Sequence, residues 1–211
     1  MIEVIPSINH KDPEEIRRRI RLVEPYVHWV HVDVSDGVFS SVKIFNDPAA
    51  LYDFKTPLNI ELHLMIDRPE EHLAEWLKTG AKRFLVHVES TTNFSMIKER
   101  LDKESREIGV ALCPETPEGA YAPHAPLTPY VLVLGVTPGP SGQTMRSDII
   151  DKVVRLRRQF PSCIIEVDGG VSLALGTAKA AAGAGANALC SGFEIFSSSD
   201  IAHTVEQFRN L

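Results

Sequence analysis

The feature that most constrains how this chain can fold is a repeat of length rather than of sequence. Short runs rich in Val, Ile and Leu, each closed by turn residues, return eight times at intervals of two to three dozen residues. They are Met1–Ile8, Trp29–Asp36, Asn59–Ile66, Arg83–Glu89, Ile108–Cys113, Tyr130–Val136, Ile164–Val167 and Asn187–Ser191. Runs of this length and composition read as strands, and the interval is that of a strand plus a returning helix. Amphipathic segments fill most of the gaps: Asp12–Val23, Pro69–Lys78, Phe94–Lys103, Asp148–Phe160, Leu173–Gly183 and Asp200–Asn210. The first opens on Asp-Pro, a cap followed by a favourable first helical position, and Gly80 is expected to close the second. The stretches 47–54 and 118–127 are too short or too proline-rich for more than turns. No linker or low-complexity stretch divides the 211 residues, so the expected architecture is α/β, a (β/α)₈ TIM barrel forming one domain over 1–211. An open doubly wound sheet is the competing reading. It calls for a glycine-rich fingerprint in the first strand–helix turn, where Pro6-Ser7-Ile8-Asn9 stands instead.

A barrel of this type places its chemistry at the C-terminal ends of the strands. The second run alternates strictly, so His31 and Asp33 share one face while Val30, Val32 and Val34 take the other. The third puts Glu61, His63 and Met65 on one face, and the seventh ends in Val167-Asp168-Gly169-Gly170. With the aliphatic residues facing the helices, His31, Asp33, His63 and Asp168 converge on the barrel mouth as two imidazoles and two carboxylates. That donor set suits a divalent transition metal. His87 and Glu89 on the fourth run lack an evident partner and are expected to pack or to orient neighbours. Glycine gathers after the last three strands, in Thr137-Pro-Gly139-Pro-Ser141-Gly142-Gln143, in Gly169-Gly170 and in Ser191-Gly192-Phe193. Loops in these places commonly hold a phosphate through backbone N–H groups.

Composition narrows the partners. A net charge of −6 and a pI near 5.8 argue against nucleic acid, which usually requires a basic face, but not against a phosphate held by backbone. Cys113, Cys163 and Cys190 form no C-x-x-C pair, so neither a disulfide framework nor a thiolate zinc site is expected, and Cys113 reads as a small core or rim residue. No basic leader followed by an apolar run and no stretch of membrane-spanning length is evident, so a cytoplasmic protein is expected.

Four motifs taken together, His31-Val-Asp-Val-Ser-Asp-Gly37, Leu62-His-Leu-Met-Ile66, Val136-Thr-Pro-Gly139 with Gly142-Gln143, and Val167-Asp-Gly-Gly170, resemble the ribulose-phosphate 3-epimerase family in order and spacing. The likeness runs from Pro6-Ser7-Ile8 to Gly192. It implies a ribulose-phosphate-binding barrel and one divalent metal (zinc, iron or manganese) on His31, Asp33, His63 and Asp168. It also implies Asp33 and Asp168 as the acid/base pair, with Ser7 and Met65 facing a sugar phosphate, and a homo-oligomer. Inversion at a carbon beside a ketone needs one group to remove a proton from one face and another to return it on the opposite face. A metal stabilises the enediolate between the transfers, so no organic cofactor is required.

The chain also departs from the family pattern. Ser35 stands where Met is usual, and Phe39-Ser-Ser-Val-Lys-Ile-Phe45 lacks Val-Pro-Asn. Cys113 and Glu115 replace Asn and Ala, Pro140-Ser141 replaces Phe-Gly, and Phe193 replaces a small Ser. These changes point to a divergent member, for which a hexulose 6-phosphate or a purely binding role are the alternatives. A lyase of a related barrel is disfavoured, because Asp33-Val-Ser-Asp36 lacks the lysine of the Asp-x-Lys-x-x-Asp motif.

Overall fold

In the computed structural model, which describes residues 1–211, every expected run forms a strand. They are β1 (Glu3–Ile8), β2 (Trp29–Ser35), β3 (Asn59–Met65), β4 (Arg83–His87), β5 (Glu107–Leu112), β6 (Tyr130–Leu134), β7 (Ile164–Asp168) and β8 (Ala188–Ser191). Each pairs in parallel with the next, and β8 returns to β1, closing a TIM barrel.

Seven α-helices accompany the strands: α1 (Pro13–Val23), α2 (Pro69–Trp76), α3 (Phe94–Lys103), α4 (Ile149–Gln159), α5 (Thr177–Ala184), α6 (Phe193–Ser197) and α7 (Ile201–Arg209). Asp12, Asn93 and Asp200 cap α1, α3 and α7 by accepting N–H bonds from the first turn, which satisfies donors the helix itself cannot. The two doubtful connections are single 3-10 turns, Pro48–Leu51 and Glu118–Tyr121. No helix is long and apolar enough to cross a membrane.

Three local expectations need correction. Gly80 does not cap α2: the helix stops at Trp76, and the Thr79 hydroxyl donates to the Trp76 carbonyl at 2.7 Å. The helix expected over 173–183 starts only at Thr177, because the Glu194 carboxylate accepts the N–H groups of Leu173 (2.7 Å) and Ala174 (3.0 Å). The short helix α6, which carries Glu194, was not expected.

The main core lies between barrel and helices, as the alternation requires. Val30, Val32, Val34, Leu62 and Leu64 pack with Ile16, Ile20, Leu73, Trp76, Val153 and Leu156, all buried. The opposite strand faces fill the barrel with His31, Asp33, Glu61, His63, Arg83, His87, Glu166 and Asp168, likewise buried. Strand parity thus separates an apolar shell from an interior in which these polar groups stand beside the apolar Ile5, Leu85, Ala111, Leu132 and Ala188.

Candidate active site

Register builds the centre. In the β2–β3 ladder Asp33 lies opposite His63, and His31 lies opposite Glu61. Asp33 Oδ1 faces both imidazoles, 2.9 Å from His63 Nδ1 and 3.2 Å from His31 Nε2. Asp168, at the end of β7, brings Oδ2 to 4.0 Å from His63 Nδ1. One donor atom from each of these four residues fits within a 4.8 Å spread. Two buried imidazoles and two carboxylates aimed at one point suit a divalent cation, whose charge would hold together groups that otherwise resist burial.

The two carboxylates differ in proton affinity. Burial opposes charge on Asp33, yet hydrogen bonds with His31 and His63 hold it well below the usual carboxylate range. Asp168 makes no such bond, and burial together with the nearby Asp33 charge pushes it up to about 6. Environments that drive two carboxyl groups apart are those that assign one to the base and the other to the acid.

Deeper in the barrel lies a second polar layer that sequence reasoning missed, with Glu61 and Glu166 two residues before His63 and Asp168 on β3 and β7. His31 Nδ1 is 2.8 Å from Glu61 and 3.2 Å from Glu166. Arg83 donates to Glu61 at 2.8 Å and is held between the Trp29 and Tyr130 rings, 3.9 and 3.8 Å from their centres. Glu166 also accepts from the Tyr130 hydroxyl (2.6 Å) and the Cys190 thiol (2.9 Å). The available signal was charged residues at interior-parity positions of β3, β4 and β7.

His87 and Glu89 do have partners, contrary to expectation. The β3–β4 pairing sets His87 Nε2 2.8 Å from His63 Nε2, and His87 Nδ1 lies 3.1 Å from Glu89. Another residue the sequence did not single out is Asn9. Its amide donates to Asp33 Oδ2 at 3.0 Å and to the Gly139 carbonyl at 3.1 Å, tying the loop after β6 to the carboxylate.

Above the four-residue centre opens a cavity of about 600 Å³. Asp33, Asp168, Ser7, Met65, Gly139, Ser141, Gly142, Gly169, Gly170, Gly192 and Phe193 all line it, while His31 and His63 lie beneath its floor. Glycine is obligatory at two of these positions. At Gly170 a Cβ would fall 2.2 Å from the Met145 nitrogen with φ at +71°, and at Gly192 it would fall 2.4 Å from the Ser7 carbonyl oxygen. The N–H groups of Gly170, Gly192 and Phe193 donate to no backbone carbonyl, leaving them free for an anion at the rim.

This geometry agrees with what the chain is similar to. Residues 3–196 match the model of the ribulose-phosphate 3 epimerase family. The ribulose-phosphate 3-epimerase of Schizosaccharomyces pombe is 30% identical over 213 residues, spanning 99% of this chain and 92% of that protein. That of Treponema pallidum is 32% identical over 199 residues, 91% of this chain and 90% of its own.

The chain belongs to the ribulose-phosphate 3-epimerase family.

Among solved structures, a 3-hexulose-6-phosphate synthase superposes with a TM-score of 0.69 at 17% identity, covering 99% of both chains, a likeness of fold alone. The structure also explains two departures from the ribulose-phosphate 3-epimerase pattern. Ser35 does not face the cavity; its hydroxyl bonds to Ser40 (2.5 Å) and to the Val42 carbonyl (2.7 Å). Phe193 is 80% exposed, so its ring stands at the outer rim and leaves the glycine-lined wall open.

Proposed function

We propose that the protein, acting as one barrel domain over 1–211, is a metal-dependent epimerase that inverts C3 of a ketose phosphate, interconverting D-ribulose 5-phosphate and D-xylulose 5-phosphate. The observation that carries this reading is the pair Asp33 and Asp168. They come from β2 and β7, share one cavity floor, and are held at opposite ends of the carboxylate range.

In one direction ionised Asp33 removes the C3 proton and Asp168, the carboxyl with the higher proton affinity, delivers one to the other face; in the reverse direction the roles exchange. His31, Asp33, His63 and Asp168 would hold a divalent ion, for which zinc, iron and manganese suit the donors. When bound, that ion supplies positive charge against the enediolate oxygens. Ser7 and Met65 face the sugar, and the free N–H groups of the loops after β7 and β8 take the phosphate, assisted by Gly139, Ser141 and Gly142 of the loop after β6.

The test is exchange at C3 of D-ribulose 5-phosphate in heavy water, followed by NMR with metal-loaded protein. Deuterium entry with appearance of D-xylulose 5-phosphate is expected. No exchange by protein that has bound the metal would remove this substrate from the proposal.

A further inference from the structure

Glu89 is a carboxylate with three hydrogen-bond partners beside the centre, and it touches none of the four converging residues. Its Oε1 accepts the Cys113 N–H at 2.8 Å and the Thr116 hydroxyl, and its Oε2 faces His87 Nδ1 at 3.1 Å. Against the cost of burial, the bonds from His87, Thr116 and Cys113 hold its carboxyl down to about 2. An ionised carboxylate can only accept, so the hydrogen between Glu89 and His87 sits on His87 Nδ1. His87 is fully buried, with the Phe39 ring 4.8 Å away, and burial opposes a charge on its ring. A neutral ring with its hydrogen on Nδ1 has a lone pair on Nε2. That nitrogen lies 2.8 Å from His63 Nε2, a distance at which one of the two must donate.

From this chain of bonds we infer that His87 and Glu89 form a positioning relay for the metal-bound state: they hold the hydrogen of His63 on Nε2, so that its Nδ1 lone pair is free for the metal position instead of donating to Asp33. The inference rests on the reading of His63 as a ligand. It excludes a competing use of the same residues. His87, Glu89 and Cys113 also gather donor atoms within 4.8 Å, but a His87 Nδ1 that donates to Glu89 has no lone pair for a second cation. The relay acts through His63 and touches neither substrate nor metal. Carboxylate–histidine support of this kind is typically worth about 10–100-fold in metal affinity.

Three proteins test it, with cobalt(II) as the probe in competition with a chelator: the native chain, His87→Leu and His87→Gln. Leucine fills the space but accepts nothing, whereas the glutamine oxygen can accept from His63 Nε2. Affinity should fall about 10–100-fold in His87→Leu, with shifted visible bands of the bound cobalt, and stay near the native value in His87→Gln. Equal losses in the two variants would reduce His87 to a packing residue, and native affinity in the leucine variant would remove it altogether. A native chain that binds no cobalt would overturn the ligand reading and the relay with it, which separates the two failures. Nitrogen-15 NMR of the zinc-loaded native protein gives an answer that needs no variant. The relay requires ring hydrogens on Nε2 of His63 and Nδ1 of His87, and a His87 hydrogen on Nε2 overturns it.

Discussion

The barrel interior holds two layers of buried charge, which share β3 and β7 with their groups two residues apart, and they are completed in opposite ways. In the deeper layer Glu61, Arg83, Glu166, Tyr130 and Cys190 satisfy one another through short hydrogen bonds, with Arg83 sandwiched between two aromatic rings. In the upper layer Asp33 Oδ1 is shared by two imidazoles, and the Asp168 carboxyl has no hydrogen-bond partner within the protein. A polar layer closed on itself is scaffold, whereas one that leaves acceptors converging on a cavity is poised for a cation and a substrate. His31 joins the two, with Nδ1 directed to the deeper glutamates and Nε2 to Asp33.

The largest effect that sharpens this contrast is expected from Asp168→Asn. Turnover should drop by roughly 10²–10⁴-fold, while the melting temperature holds or rises because an unpaired buried carboxyl is gone. Substantial remaining turnover would take Asp168 out of the acid/base pair. Removing divalent ions with a chelator should likewise abolish activity, and zinc, iron or manganese should restore it; full activity after verified removal would break the reading of the upper layer.

Arg83→Met attacks the other layer. It strands Glu61, which burial and the Glu166 charge already push up to about 7, and should cost about 3–5 kcal/mol of stability in urea unfolding. A loss within the scatter of the measurement would show that the deeper layer is not held as a unit. Asn9→Leu removes one hydrogen bond to a charged group, about 1.5–3 kcal/mol. It should lower kcat/KM along with a stability loss of that order; an unchanged kcat/KM would make the contact to Asp33 and Gly139 incidental.

The smallest effect lies outside both layers. Lys152 donates to the Cys113 carbonyl at 2.6 Å, and burial lowers it to about 8. The unfolded chain keeps this proton up to about pH 10.4. Unfolding therefore takes up a proton between pH 8 and that value, and the folded state gains stability as the pH rises through the window. The stability of the parent relative to Lys152→Met should climb over that range, and a flat difference would contradict the shift.

Strand parity made much of the site legible. Alternation alone put His31, Asp33 and His63 on one face, and Asp168 followed from its place at a strand end beside paired glycines. Asn9 and Glu194 were not legible, since each acts on backbone more than a hundred residues or a full strand–helix unit away, through loop geometry that no periodicity encodes. His87 looked solitary for a similar reason: its partner His63 sits on the neighbouring strand, and its second partner Glu89 lies beyond the strand end.

Sequence by itself determined the number of strands, the closed parallel architecture and the division between apolar and polar faces, because length and period are local properties that every run repeats. Tertiary structure alone decided which interior groups satisfy one another and which are left facing the cavity. That choice depends on register between neighbouring strands, and a difference of two residues along β3 separates Glu61, bonded to Arg83, from His63, aimed at Asp33. Hydrogen bonds act over about 3 Å, so only the assembled barrel can distinguish scaffold from site.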